Sequence, residues 1–509
     1  MSKHSLAKST LWLVVSEIVF NLSGYVIHSA VARILGPADY GRYGLVVTLT
    51  TMVIILIGNG IPTAMAKYIS EVFETDPALV LKIKRKAALM QSALIGAITL
   101  AFFLASPLIS ALLGDPTLTP LFRISALIIP AFAMASFYFS WYTGLHRFGI
   151  QSVLKVLRSI LKVAAIVGLA WVWGVPGSVL GYALAAFGVF LVAFSLDRLY
   201  YTKNLKKAAL AHPGGSQGHF PASKLASYAW QIIVFFLAYE LLISIDLYLV
   251  KGMLRSDYLT GIYNAALTVG RIPYYVFYAL TVMLLPVVSK HTARGEFAKA
   301  SQIVSSSLRI MLILLVPAVV LMARFSTAMM EFFYGQGYAE AGAPMAILSY
   351  GVGFLTVFYI LSFVLNGAGQ TKKAMVIASV GFAVNTALNA LLIPPYGITG
   401  SAVATSLTSV FVTVWTLGSM RRDYGALVRF SDLWRIALAA ALTYGASLPL
   451  LASKFSFIPY SLALFAFYLF LLYLLGGISK EDVRHLQKMV SRKKTADVEK
   501  ELSGNEPAA

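Results

Sequence analysis

Ionisable and amide side chains interrupt long apolar stretches of this sequence at helical intervals. The first stretch contains Glu17, Asn21, Gly24 and His28, which follow one another at intervals of four, three and four residues. At ~100° per residue they share one helical face within about 60°. Such a stripe either lines a hydrated ligand cavity or hydrogen-bonds a neighbouring helix, and the spacing is compatible with both.

A second stretch carries basic residues on one face. Lys155, Arg158 and Lys162 also lie within about 60° of each other around a helix. They could form a ladder that draws a diphosphate headgroup into a cavity. Alternatively they anchor the helix at the membrane surface through long side chains that reach water.

Charged residues of both signs occur in two consecutive stretches further on. Glu240 and Asp246 lie in one, and Arg271 lies in the next. Glu240 and Arg271 are each roughly 16 Å from the intervening turn if both stretches are helical, which predicts a carboxylate–guanidinium pair. That pair is either a static clamp or a cation site for an anionic substrate, with Glu240 holding Arg271 between turnovers. Asp246 lies nearer the turn, where it would anchor the helix end or accept a hydrogen bond from a tyrosine.

An amide pair lies in a later apolar stretch. Asn385 and Asn389 are one helical turn apart and could bind sugar hydroxyls or the neighbouring backbone.

The composition identifies the elements that must position these residues. Of 509 residues, 59% are hydrophobic and 12% are charged, whereas soluble chains have about 25% charged residues. The chain contains no cysteine, which excludes a disulfide scaffold and cysteine metal sites. The charge of +20 is scattered in short clusters between apolar stretches, so it indicates membrane topology rather than a nucleic-acid partner.

About fourteen stretches are long enough to cross a bilayer, including single helices over 119–142 and 261–289. Lys and Arg concentrate in alternate loops, for example at Lys82–Lys86 and Lys203–Lys207. The positive-inside rule then places both termini in the cytoplasm of a multi-pass cell-membrane protein.

Rare residues recur at one offset of 223 positions. Glu17 aligns with Glu240, Lys67 with Lys290, and Gly174 with Gly397. The sequence thus predicts an all-α polytopic membrane protein with two parallel six-helix lobes. A pseudo-twofold along the membrane normal relates the lobes, and the substrate site lies between them. We place the N lobe at 1–205, a cytoplasmic linker at 206–226, the C lobe at 227–425, an extra helix pair at 426–478 and a cytoplasmic tail at 479–509.

This organisation argues against an enzyme. Loops are short, no paired acidic metal motif occurs, and no Gly-Lys-Ser/Thr loop is present to bind ATP. We expect no catalytic residue, metal or cofactor, although a proton gradient, a sodium gradient or the membrane potential could drive a transporter of this kind.

Three motifs resemble one transporter group. They are Arg33-Ile-Leu-Gly-Pro-Ala-Asp-Tyr-Gly-Arg-Tyr-Gly44, Gly60-Ile-Pro-Thr-Ala-Met-Ala-Lys-Tyr-Ile-Ser-Glu71, and the succession of Asn366-Gly-Ala-Gly-Gln-Thr-Lys-Lys373, Asn385 to Asn389 and Ile393-Pro-Pro-Tyr-Gly-Ile-Thr-Gly-Ser-Ala402. Their order resembles the polysaccharide branch of the multidrug/oligosaccharidyl-lipid/polysaccharide exporter superfamily, in particular its sporulation stage V protein B-like members.

The resemblance implies a flippase for polyprenyl-diphosphate-linked oligosaccharide that works by alternating access. The substrate-binding residues would then be Asn21, His28, Lys155, Arg158, Lys162, Arg271, Asn385 and Asn389. Glu17, Glu240 and Asp246 would couple or gate the cycle. The expected partners are the lipid-linked glycan, membrane lipids and glycan-assembly enzymes. Two alternatives are a cation-coupled multidrug antiporter of the same superfamily and a membrane scaffold for glycan assembly.

Overall fold

A computed structural model describes residues 3–58, 60–73, 75–211, 221–425 and 428–478. Within these ranges the chain is helical and has no strand. The α-helices are α1 Lys3–Gly58, α2 Ile61–Val72, α3 Pro77–Leu112, α4 Thr119–Ser125, α5 Ile128–Gly144, α6 Phe148–Leu196, α7 Thr202–Ala211, α8 Ala222–Leu254, α9 Asp257–Gly270, α10 Ile272–Ala293, α11 Phe297–Arg324, α12 Ser326–Tyr334, α13 Gly342–Gly367, α14 Thr371–Tyr424, α15 Phe430–Ser447 and α16 Phe457–Leu474.

Three of the apolar helical segments are too long for one crossing. They span Val15–Ile55, Phe148–Leu210 and Thr371–Arg421, of 41, 63 and 51 residues. At ~1.5 Å per residue they would run about 60–95 Å, at least twice the ~30 Å of membrane hydrocarbon. Each contains a glycine with positive φ, so each consists of two arms that cross separately. Each predicted crossing overlaps a helix, a helix arm or two consecutive helices among the described residues.

Three predicted crossings are not single helices, and one of them, at 43–66, is divided between α1 and α2. The crossing at 119–142 is divided into α4 and α5 at Ala126–Leu127, and the crossing at 261–289 is divided into α9 and α10 at Arg271. The prediction of continuous helices was wrong in all three places, and in each a proline lies in the first turn of the second helix. Proline lacks a backbone N–H, and its ring clashes with the carbonyl four residues earlier. Pro62 removes the hydrogen bond to Gly58 in this way, Pro130 the one to Ala126, and Pro273 the one to Val269.

The backbone repeats at the offset found in the sequence. Gly174 has φ 62° and ψ −138°, and its counterpart Gly397 has φ 57° and ψ −139°. A Cβ on Gly177 would lie 2.1 Å from the Leu169 carbonyl oxygen, and one on the counterpart Gly400 would lie 2.1 Å from that of Leu392. The two arms therefore meet so closely at each bend that only glycine fits there.

The helix directions define two faces of the membrane domain. We call the face with the turns at residues 75–76, 145–147, 294–296 and 368–370 the basic face. The turns at residues 113–118, 255–256 and 448–456 lie at the opposite face. Helices α7 and α8 extend into the segment expected as a linker, and residues 212–220 and the tail 479–509 lie outside the described residues.

The additional helix pair, α15 and α16, packs against α11. Ile313 contributes to a buried apolar cluster with Ile436 and Tyr468. At the opposite face Arg324 donates to the carbonyls of Ser447, Leu448 and Leu450 at 3.2, 3.2 and 2.9 Å. At the basic face Arg309 donates to the Gly477 carbonyl at 3.0 Å. Arg309 within α11 and Arg324 at its end thus bind carbonyls at the two ends of the pair.

Candidate functional site

The basic ladder expected in the N lobe lies on the first arm of α6. Its outermost member, Lys155, forms an ion pair with Glu17 of α1, with the ammonium 2.5 Å from the carboxylate. Arg158 and Lys162 lie deeper and are only 5% and 8% exposed. The charge of the ladder is therefore offset by a carboxylate at its entrance but not at its inner end.

Aromatic faces surround the two deeper cations. The Arg158 guanidinium lies 4.1 Å from the ring centre of Phe132, and the Lys162 ammonium lies 4.5 Å from that of Tyr182. The Tyr182 hydroxyl is within hydrogen-bonding reach of Lys162 and Arg158. Cation–π contacts stabilise a buried positive charge without neutralising it. These cations therefore remain able to attract an anion.

His28 links the N-lobe cations to the C lobe. Its Nδ1 is 2.9 Å from the Tyr40 hydroxyl, which holds the imidazole ring in place. His28 also lies within electrostatic range of both Lys162 and Arg271. Asn21 is half-buried on the same helix. The polar stripe of α1 therefore faces the boundary between the lobes.

Arg271 lies at the break between α9 and α10. Its guanidinium donates to the Ile243 carbonyl of α8, and it lies within electrostatic range of Glu240 and Asp246. Among the ion pairs of the described ranges, none joins Arg271 to either carboxylate. The predicted pair with Glu240 is thus wrong for this conformation. The helix break turns Arg271 toward α8 backbone, and Glu240 accepts instead from Ser244 at 3.2 Å.

Tyrosines complete the region between the lobes. Tyr25 of α1 contacts Tyr275 of α10 edge-to-face, with ring centroids 6.2 Å apart. The buried Tyr25 hydroxyl has no hydrogen-bond partner within the described chain, and Tyr275 is 39% exposed. A buried unpaired hydroxyl is costly unless a ligand or water binds it. We call the set Tyr25, His28, Arg158, Lys162, Tyr182, Arg271 and Tyr275 the interlobe site.

A separate polar network fills the inside of the C lobe. Asp246 is fully buried and accepts hydrogen bonds from the hydroxyls of Tyr263 and Thr405 at 2.9 and 3.0 Å. The expected tyrosine donor to Asp246 is thus present. No ion pair of the described residues involves this carboxylate.

The amide pair belongs to this network. Asn385 donates to the Leu242 carbonyl at 2.9 Å, and Asn389 donates to the Asn385 side-chain oxygen at 2.8 Å. Ser401 donates to Asn389 at 2.6 Å. Of the two roles considered for these amides, the structure shows binding to neighbouring protein groups, because both side chains are fully buried.

An ion-pair cluster joins the lobes at the opposite face. Lys251 of α8, 2% exposed, pairs with Asp257 and with Asp115 of the N lobe, the latter at 2.9 Å. Arg42 donates to Thr117 at 2.6 Å and lies 3.8 Å from Asp257. We call these residues the clasp. Partial burial raises the pKa of Asp115, but hydrogen bonds from Lys251 and Thr117 outweigh it and hold that pKa below its usual range.

Lys251→Met is expected to open the opposite face. It leaves Asp115 and Asp257 close together without their ammonium, and ~1.4 kcal/mol of lost attraction changes a two-state population about tenfold. The chain has no cysteine, so Ser29→Cys, at the contact of α1 with the Phe333 carbonyl of the C lobe, reports access by its rate of reaction with an impermeant maleimide. We expect that rate to rise about tenfold, as that population shift implies. The exposed Lys454→Met is the matched control, and equal rates in both variants would contradict the role of the clasp.

The pH dependence of the clasp follows from Asp115. A carboxylate whose folded pKa is depressed contributes stability above its unfolded pKa, and this contribution is lost as the pH falls through the folded value. The thiolate fraction itself falls with pH, so the labelling rate of Ser29→Cys is divided by that of the exposed Lys454→Cys at the same pH. This ratio should stay low down to about pH 4 and rise only below it.

Sequence reasoning missed the tyrosines and the clasp. Tyr25, Tyr182 and Tyr275 are three of 27 tyrosines, and no spacing distinguishes them. Lys251 and Arg42 resembled ordinary loop charges, because the partners that join the lobes, Asp115 for Lys251 and Asp257 for Arg42, are distant in the chain.

The comparisons with known proteins agree with this architecture. The profile of the family described as Polysaccharide biosynthesis protein matches residues 6–292. The chain is 25% identical to the probable low-salt glycan biosynthesis flippase Agl15 of Haloferax volcanii, covering 80% of this chain and 82% of that protein. It is 23% identical to Stage V sporulation protein B of Bacillus subtilis, covering 81% and 83%.

A solved structure shares the fold. The lipid II flippase MurJ in an inward closed conformation superposes with a TM-score of 0.74 at 15% identity, covering 91% of this chain and 98% of that one. The expected superfamily is confirmed. The chain belongs to the Polysaccharide biosynthesis protein family, and it has the polytopic helical fold of the multidrug/oligosaccharidyl-lipid/polysaccharide exporter superfamily.

Proposed function

We propose that this protein is a flippase that moves a polyprenyl-diphosphate-linked oligosaccharide, a precursor of cell-surface polysaccharide, from the inner to the outer leaflet. The observation that carries this proposal is the convergence of cations from both lobes. Lys162 of the N lobe and Arg271 of the C lobe both act electrostatically on His28. Neither cation has a carboxylate in an ion pair within the described residues.

The chemistry of the cargo explains why such a site is needed. A diphosphate cannot cross hydrocarbon without losing its hydration, at a cost of many kcal/mol. Lys162 and Arg158 on one side and Arg271 on the other replace part of that hydration with positive charge. The prenyl chain is as apolar as the bilayer interior, so it can stay in the lipid while the headgroup moves between the lobes.

The sugars require a different surface. Aromatic rings pack against the apolar faces of sugar rings, and tyrosine hydroxyls bind their oxygen atoms. The unpaired hydroxyl of Tyr25 and the exposed ring of Tyr275 offer both contacts beside Arg271. Asn21 and His28 supply further polar groups on the same helix, whereas Asn385 and Asn389 support the C lobe from inside in this conformation.

Coupling to an ion gradient is assigned to the C-lobe carboxylates. Asp246 is buried among hydroxyl and amide groups and has no cationic partner in an ion pair of the described residues. Such a carboxylate is stabilised when it takes up a proton or a small cation. Glu240 lies one to two helical turns from Asp246 on α8 and within electrostatic range of Arg271. Glu17 gates the ladder through its ion pair with Lys155.

The orientation follows from the same assignment. We place the basic face in the cytoplasm of the cell membrane, with both termini on that side, because Lys and Arg concentrate there. In this arrangement the clasp closes the outer face, so the cargo enters from the inner leaflet, where lipid-linked glycans with a cytoplasmic headgroup are available.

Native mass spectrometry of the gently solubilised protein tests the function directly. We expect a bound polyprenyl-diphosphate glycan whose mass identifies the sugar. Bulk phospholipid alone, together with efflux of a cationic dye driven by a sodium or proton gradient, would overturn the proposal in favour of a multidrug antiporter. Retained flipping after removal of residues 479–509 would exclude a scaffold that acts through its tail.

A further inference from the structure

A polar cavity of about 650 Å³ lies at the basic face, where α11 meets the end of α14 and the start of α15. Its walls carry Ser301, Gln302, Ser305, Ser306, Arg309 and Arg429. Neither this cavity nor any of these residues belongs to the interlobe site. The cavity is bounded by the C lobe on one side and by the additional helix pair on the other.

The sequence of α11 creates the polar wall. Ser301, Ser305 and Arg309 recur every fourth residue, so they form one ridge along the helix. Val304 and Leu308 point the other way and are buried in the C lobe. Ser301 donates to the Tyr424 carbonyl at 2.5 Å, which fixes the end of α14 against this ridge.

The cavity lies at headgroup depth. Arg309 and Arg324 are separated by 15 residues of α11, or roughly 22 Å. Both arginines bind carbonyls at the ends of α15 and α16, so they mark the two boundaries of the apolar layer at this helix. The polar ridge on the N-terminal side of Arg309 therefore faces the headgroups of the leaflet at the basic face.

The charge of the cavity favours an anion. Arg309 lies 3.5 Å from Asp432, which balances it, while Arg429 is exposed at the rim and adds a net positive charge. Within the part of the chain that the structure describes, neither Ser305 nor Ser306 makes a hydrogen bond through its hydroxyl. Arginines with adjacent hydroxyl donors are the groups that bind phosphate esters in proteins.

We infer that this cavity binds the phosphate of an anionic phospholipid from the leaflet at the basic face. The bound headgroup bridges Arg429 and the serine ridge of α11. It thereby ties the helix pair α15–α16 to the C lobe at the point where the apolar cluster between them ends. Since the site lies outside the interlobe site, this lipid is a structural ligand and not the transported cargo.

Native mass spectrometry of the full chain in nanodiscs of phosphatidylcholine with added phosphatidylglycerol tests the inference. We expect phosphatidylglycerol to be retained in preference to phosphatidylcholine. Arg429→Gln should weaken its binding about fivefold, as expected for one basic residue near an anionic headgroup. Ser305→Leu keeps the charge but fills the cavity, so it should weaken binding at least as much.

Arg421→Gln is the matched control, because Arg421 is exposed near the end of α14 and does not line the cavity. Equal loss of phosphatidylglycerol binding in Arg421→Gln and Arg429→Gln would show that the lipid is attracted to the basic surface in general, which would overturn the inference. Unchanged phosphatidylglycerol binding in Ser305→Leu would overturn it as well. Inorganic phosphate is the second probe. If it stabilises the protein through Arg429 and phosphatidylglycerol does not, the site takes a soluble phosphate ester and the lipid assignment is wrong.

Discussion

Arg271→Gln is expected to slow flipping of a polyprenyl-diphosphate glycan by about 10- to 100-fold, because a hydrogen bond to a charged group contributes ~1.5–3 kcal/mol. The substitution removes the cation that the C lobe contributes to the interlobe site, so the N-lobe cations would hold the diphosphate alone. The measurement is the rate of headgroup translocation in proteoliposomes that contain the lipid identified by mass spectrometry.

The control for this prediction is Arg123→Gln. Arg123 lies on α4, is exposed, and is 5.3 Å from the ring centre of Phe103, outside the interlobe site. It should leave the flipping rate close to that of the native protein. Arg271→Lys should flip faster than Arg271→Gln but more slowly than the native protein. Lysine keeps the positive charge but lacks the planar guanidinium, which can bind a second group while it donates to the Ile243 carbonyl.

The competing role for Arg271 is a static clamp between α8 and α10. In that case Arg271→Gln would lower the thermal stability of the protein, and the flipping rate per folded molecule would be unchanged. Measuring both quantities on the same preparation separates the two roles. A native rate in a folded Arg271→Gln protein would remove Arg271 from the substrate site.

Asp246→Asn is expected to uncouple transport from an ion gradient. The amide has the size of the carboxylate, and its single oxygen can still accept from Tyr263 and Thr405, although the bond from the Leu247 N–H is lost. The amide has no charge with which to bind a proton or a cation. We expect the rate of flipping driven by an imposed gradient to fall at least about tenfold. That factor corresponds to the loss of ~1.4 kcal/mol of interaction between Asp246 and the coupling ion. Binding of the lipid-linked glycan should persist, because Asp246 lies outside the interlobe site.

Imposing sodium and proton gradients separately identifies the ion. The control is Asp39→Asn, because Asp39 is an exposed carboxylate of α1. If gradient-driven flipping in Asp246→Asn matches that of Asp39→Asn, the buried network serves only to hold α8 against α14. Coupling would then have to be sought at Glu240.

Much of the fold follows from the sequence by local physical rules. The length and composition of the apolar stretches predict the membrane crossings, because each crossing is formed by residues close together in the chain. The offset of 223 residues predicts the duplicated lobes, because it comes from direct comparison of the two halves of the sequence. Matching bends at Gly174 and Gly397 confirm that duplication in the backbone. Helical periodicity likewise predicts that Arg158 and Lys162 share a face, and both are found beside Tyr182.

Contacts between helices had to come from the tertiary structure. Periodicity tells on which face of its own helix a side chain lies, but a hydrogen bond depends on ångström-scale placement of two helices. The break at Arg271 directs its guanidinium to the Ile243 carbonyl rather than to Glu240. Close packing of α8, α9 and α14 buries Asn385 with Asp246, and the approach of the lobes joins Lys251 to Asp115. The sequence by itself determined which polar residues enter the membrane, and only the packing of bent helices decided which of them meet.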